Sequence, residues 1–130
     1  MNDSTTQSKS RYDAASDTQA GATLLSAATI TGDEVCNMQD EKLGKIQGIM
    51  LDITEGRIRY AVLASGGFLG MGDRLFAVPW KALKHDKENR RFMLDIGAEH
   101  FKNAPGFGKD DWPNMADATW NSTVESYYAR

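Results

Sequence analysis

The chain has 130 residues, enough for one domain of ordinary size. Its 15 basic and 18 acidic side chains leave a formal charge of −3, which excludes binding driven mainly by overall attraction to phosphates. The single cysteine, Cys36, makes no disulfide framework within the chain and suits a reducing compartment.

Residues 1–22 are rich in Ser, Thr, Asp, Gln and Ala. Such a composition buries too little apolar surface to offset its ordering entropy, which predicts a flexible N-terminal tail. The same stretch lacks the apolar core of a secretory signal, and no apolar run approaches the ~20 residues of a membrane-spanning helix. The expected setting is therefore the cytoplasm, where the glycosylation triplet Asn121-Ser122-Thr123 goes unused.

Short strands are predicted from Leu24 onward. A weak one covers Glu34 to Met38. Ile49, Leu51 and Ile53 alternate up to the turn Thr54-Glu55-Gly56, and Ile58, Tyr60, Val62 and Ala64 alternate after it, with Arg57 and Arg59 on the opposite face. This is a hairpin with one buried face. Ile46 breaks the phase of its strand, and Gly48 beside it permits a bulge. Phe76, Val78 and Trp80 share a face, with Pro79 at a strand end or sheet edge because it lacks a donor. Lys84 to Arg90, KHDKENR, is a polar turn, and Phe92, Leu94 and Ile96 make the last alternation. Five or six locally connected strands fit a small antiparallel β-barrel or a sandwich, a mostly β fold spanning residues 23–97.

Residues 98–130 are expected to pack on that sheet. A helical turn is predicted at Ala98 to Lys102, then a turn at Pro105-Gly106. A last helix is capped by Asp117 and carries Trp120, Val124 and Tyr127 or Tyr128 on one side. Trp80, Trp112 and Trp120 are the candidate structural anchors, since aromatic side chains of this size bury large areas.

SGGFLGMGDR, Ser65 to Arg74, is the most unusual stretch. A phosphate-binding loop needs a Lys-Ser/Thr pair or a following helix N-terminus, and Arg74 instead leads into a strand. The glycines satisfy the chain reversal by themselves. Phe68, Leu69 and Met71 are then either a cap on the core or a candidate partner contact. Catalysis finds no constellation: His85, His100 and Cys36 have no metal-ligand spacing, and the adjacent Asp110 and Asp111 diverge rather than form an acid/base pair. Neither a cofactor nor enzymatic activity is expected. Lys81, Lys84, Lys87, Arg90 and Arg91 form a basic cluster, but Asp86 and Glu88 interrupt it and no aromatic stacking platform accompanies it.

GKIQGIMLDITEGRIRYAVLASGGFLGMGDRLFAVPWKALK, Gly44 to Lys84, resembles the PRC-barrel domain family. The marks are the G-x-[IV] strand, the D-x-x-x-G-R turn, the R-Y-A-V strand, the G-G-F-L-G-x-G loop and the [AV]-x-P-W end. EHFKNAP and VESYYA resemble the end of the barrel domain in the photosynthetic reaction-centre H subunit, and APGFGKDDWP resembles stand-alone bacterial members, so the resemblance runs from about Leu24 to Ala129. The chain departs from the H subunit in lacking its N-terminal transmembrane helix, and from the ribosome maturation factor in lacking that protein's N-terminal domain. The resemblance implies a small β-barrel acting as a non-catalytic protein-contact module, an accessory protein related to the H subunit, with an unnamed protein or a second copy as partner. A ribosome- or RNA-associated assembly factor is the alternative it implies.

Overall fold

The computed structural model describes residues 24–66 and 73–129. In chain order the elements are α1 (Ala27–Ile30), β1 (Glu34–Cys36), β2 (Lys42–Asp52), β3 (Arg57–Gly66), β4 (Asp73–Pro79), a 3-10 turn (Trp80–Ala82), β5 (Leu83–Asp86), β6 (Arg91–Leu94), α2 (Ala98–Lys102) and α3 (Ala118–Tyr128). The strands form one six-stranded sheet in the order β4-β3-β2-β1-β6-β5. Its outermost strands, β4 and β5, are consecutive in the chain and joined by only the three residues of the 3-10 turn. Two edges tethered that closely require the sheet to curl, and the result is a half-barrel.

The sheet is mixed, which corrects the expected antiparallel barrel. β1 pairs with β6 in parallel, Val35 opposite Phe92 and Cys36 opposite Met93, while the other neighbouring strands pair antiparallel. Short turns impose antiparallel pairing on consecutive strands. The β1–β6 joint lies between strands distant in sequence, so no turn constrains its direction.

β2 carries two register shifts against β3, at Ile46/Gly48 and at Met50/Leu51. The first is the bulge expected from the phase break at Ile46, which is buried. The second leaves Arg59 of β3 as the extra residue between the pairs Met50↔Tyr60 and Leu51↔Ile58. Leu51 is 57% and Ile53 81% exposed, so their alternation does not mark a core face as the sequence pattern suggests. The expectation of one buried face also fails on β3, where Tyr60, Ala61, Val62 and Leu63 are all buried. Successive side chains point to opposite faces, so this run needs cover on both. Tyr60 meets Trp120 of α3, centroids 5.3 Å apart, while Phe76, the register partner of Leu63, meets Phe101 of α2 at 4.6 Å.

KHDKENR is only partly a turn. Its first half belongs to β5, paired from Leu83↔Leu94 to Asp86↔Arg91. This short edge strand has no fully buried side chain, and so no apolar alternation to reveal it. Pro79 ends edge strand β4, opposite Tyr60, as a residue without a donor should.

A C-terminal segment covers part of that edge. Leu75 N donates to Phe107 O at 2.8 Å, and Phe107 N to Leu75 O at 2.9 Å. The approach requires Gly106: a Cβ there would lie 2.8 Å from Arg74 Nε and 2.9 Å from the Leu75 carbonyl oxygen. Among the described residues Asn37 is the one fully buried polar side chain, and it builds the β1–β2 turn. Its Oδ1 accepts from Gln39 N and Glu41 N, and its Nδ2 donates to Glu41 Oε1 at 2.7 Å.

Candidate binding site at the helix seam

Helix α3 starts where the Asp117 carboxylate accepts from Trp120 N at 2.9 Å, the predicted cap. Val124 and Tyr128 are the buried residues of the helix, and Trp120 is half-buried on Tyr60. A polar latch forms beside this packing. The Tyr60 hydroxyl donates to Asn121 Oδ1, to which Arg59 Nη2 also donates at 3.4 Å. Asn121 Nδ2 donates to the Asp117 carbonyl at 2.9 Å and so fixes the amide's orientation. Burial raises the Tyr60 phenol above its ordinary range, which keeps it a donor.

Charges continue along the seam. Arg59 lies 3.9 Å from Asp52 and 3.6 Å from Glu125, and Glu125 lies 3.6 Å from Lys81. This chain links β2, β3, α3 and the 3-10 turn as a ridge between two depressions. One, of about 580 Å³, is walled by Met38, Pro79, Ala82, Met93 and Leu94, with Lys84 and Tyr128 also on its surface. The other, of about 400 Å³, includes Ile58, Trp80, Arg57 and Arg59. Ile58 is the register partner of Leu51, so an apolar strip runs from the exposed hairpin end, Ile53 and Leu51, to the second depression.

The residues singled out in the sequence are dispersed. Phe68, Leu69 and Met71 lie outside the described residues. Trp80 is half-buried, 5.5 Å from the Phe92 ring. Trp112 is 44% exposed with its ring 5.1 Å from Phe107. His85 packs on Phe92 at 4.9 Å, and desolvation holds its imidazole below the usual histidine range. His100 stacks on Tyr127 at 4.3 Å, and Tyr127 Oη donates to the His100 carbonyl at 2.6 Å. Cys36 is buried. Among the described residues no three His, Cys, Asp or Glu side chains converge as a metal group. Asp110 and Asp111 are exposed. The basic cluster is divided: Arg91 is held by Asp40 at 2.6 Å and Asp86 at 3.0 Å, Lys81 shares Glu125, and Lys84 faces the larger groove. Sequence reasoning missed Asn121 and Glu125, which become informative only once α3 is laid on β3. It also missed the hairpin end, although an isoleucine abutting the polar turn Thr54-Glu55-Gly56 was a signal for it.

The PRC-barrel domain model matches residues 22–101, more than half of the chain. The chain belongs to the PRC-barrel domain family. Among curated proteins there is no match. The matched span includes all six strands and α2 up to Phe101. It stops short of Ala129, to which the sequence resemblance extends, so this PRC-barrel chain builds its seam by laying a helix from outside the matched span onto strands within it. Among the described residues no helix is long and apolar enough to cross a membrane.

Proposed function

We propose that this PRC-barrel chain is a non-catalytic protein-interaction module, a bacterial cytoplasmic accessory protein related to the reaction-centre H subunit, and that its hairpin end is a contact surface. The observation that carries the contact is the strip Ile53–Leu51–Ile58–Trp80, whose first two side chains remain 81% and 57% exposed. Large aliphatic side chains next to a turn add nothing to the turn itself, and a contiguous apolar strip beside a groove is a common mark of a partner site. The non-catalytic reading is supported by both histidines being engaged in ring packing and the cysteine being buried. The glycine-loop residues Phe68, Leu69 and Met71 are proposed as a second contact. Their loop follows the Gly66 end of β3, while the Thr54-Glu55-Gly56 turn precedes its Arg57 end.

Association of full-length wild type and of a Leu51→Ser, Ile53→Ser double variant tests the hairpin contact. Light scattering reads self-association, and affinity capture from native lysate reads other partners. The expected result is loss of a specific complex at unchanged melting temperature. Identical complexes from both proteins would remove the hairpin end from the interface.

The ribosome- or RNA-associated reading has one observation in its favour: Arg57, Arg59 and Lys81 meet beside Trp80 around the second depression. Each of these cations already pairs with Glu55, Asp52 or Glu125, which lowers its attraction for phosphate. Submicromolar RNA binding near physiological salt would reverse the ranking of the two readings.

A further inference from the structure

We propose that the open edge of β2, residues 48–52, pairs antiparallel with the same edge of a second copy of this chain, so that two half-barrels share one continuous sheet across a two-fold axis at Leu51. The inference rests on the hairpin-end contact and names its partner.

The first observation is the open edge. β2 runs for 11 residues, yet β1 pairs with it only between Lys42 and Lys45. Two more backbone bonds, from Gly32 N to Ile46 O at 2.7 Å and from Ile46 N to Asp33 O at 2.9 Å, carry that cover as far as Ile46. From Gly48 to Asp52 the strand pairs with β3 on one side, and among the described residues no strand pairs on the other. The surface at Gly48 is open as well, since a Cβ there would meet nothing within 4 Å.

The second is protection. A strand edge is a template for another strand unless a cover, a proline or a charge such as lysine blocks it. The two outermost strands are blocked. Phe107 bridges β4 at Leu75, and β4 ends in Pro79; β5 has only 4 residues, with Lys84 among them. Residues 48–52, Gly-Ile-Met-Leu-Asp, hold neither lysine nor proline. The extra residue of the second register shift, Arg59, belongs to β3, so β2 itself carries no bulge within this stretch.

The third is self-complementarity. Directly opposed residues of antiparallel strands share a face and stabilise the pair when both are apolar. With Leu51 on the axis, it meets Leu51 of the second copy, and Ile49 meets Ile53 of that copy. The two most exposed side chains of the hairpin end, Leu51 and Ile53, then gain aliphatic cover. On the other face Met50 meets Asp52 and Gly48 meets Thr54, so no like charges are opposed. Asp52 and Glu55 also balance Arg57 and Arg59, and a neutral hairpin end approaches its own copy without net repulsion.

The test is sedimentation equilibrium of the full chain over a concentration series, with amide hydrogen exchange followed at both ends of the series. The expected result is a reversible dimer. Within residues 48–52 the amides that face β3 should exchange slowly throughout, and the alternate, outward amides should slow only where the dimer forms. Leu51→Lys and Leu51→Glu each set like charges against each other on the axis and should weaken dimerisation by about tenfold or more, while an equimolar mixture of the two should recover a heterodimer. A chain that stays monomeric at every concentration would overturn the second copy as partner and leave the hairpin end to another protein. A dimer whose outward β2 amides stay fast would overturn strand pairing, and its loss in the Leu51→Ser, Ile53→Ser variant would still uphold the hairpin contact. A dimer indifferent to Leu51→Lys would overturn both, and a mixture without rescue would overturn the axis at Leu51.

Discussion

Tyr60 of β3 donates its phenolic proton to the Asn121 amide oxygen of α3, and this bond latches the last helix to the sheet. Tyr60 is only 1% exposed, so loss of the acceptor strands a buried hydroxyl. Asn121→Ala is expected to cost about 1–3 kcal/mol, the penalty of an unsatisfied buried group. Tyr60→Phe should cost less, because it removes the donor and its desolvation together. The double variant should resemble Tyr60→Phe more than the sum. Urea unfolding of the four proteins checks this, with midpoints moving and slopes constant.

Asp33 makes stability depend on pH. Its Oδ2 is buried without a hydrogen-bond partner among the described residues, and desolvation pushes its carboxyl up from 3.8 to about 6. Between those values the native chain holds this proton more tightly than the unfolded chain. The contribution of Asp33 is therefore most favourable below 3.8 and is lost as pH rises through about 6. Asp33→Asn should flatten the stability profile across that window and raise the melting temperature at neutral pH. An unchanged slope of melting temperature against pH in the variant would contradict this.

Gly106→Ala should loosen the cover on β4. Its Cβ would press on the Leu75 carbonyl oxygen at 2.9 Å, and that oxygen accepts from Phe107 N. Overpacking of this kind typically costs about 1–3 kcal/mol. An edge strand that loses its cover also becomes a pairing template. The variant should melt earlier and form concentration-dependent aggregates, read by differential scanning fluorimetry and light scattering.

Arg91 bridges two turns across the β1–β6 joint, through Asp40 and Asp86. The partners differ in exposure: the Asp40 side chain is 74% exposed and that of Asp86 21%. Asp86→Asn should therefore destabilise more than Asp40→Asn. Hydrogen bonds from Asn89 and Arg91 hold the Asp86 carboxyl below its ordinary value, so its stabilisation is complete above the ordinary carboxylate range and fades as pH falls through the lowered value. Chemical denaturation of the two variants at neutral and acidic pH gives the ordering.

Local patterns carried much of this fold. The bulge beside Ile46, the edge position of Pro79 and the Asp117 cap each follow from one or two residues and their neighbours. The alternatives Tyr127 and Tyr128 could be separated only by contacts: Tyr128 enters the core, while Tyr127 stacks on His100. β5 escaped notice because a half-exposed edge strand can be wholly polar at its surface positions. Leu51 and Ile53 misled because period-2 alternation states that residues share a face, not that the face is covered. The parallel joint was illegible because its strands share no turn, and the groove was illegible because its walls come from β1–β2, the β4–β5 corner, β6 and α3.

The three-residue corner between β4 and β5 has a consequence for how the half-barrel assembles. It tethers a four-strand meander, β1 to β4, to the β5–β6 hairpin, and the two units join their ladders through only two parallel register pairs. Between separate molecules so short a ladder would dissociate. A short tether raises the effective concentration of one unit at the other to roughly the millimolar range, which turns a weak association into an intramolecular closure. The joint at Val35 and Phe92 can therefore be short because the corner keeps its halves in reach, and a chain cut at Lys81 should come apart there first.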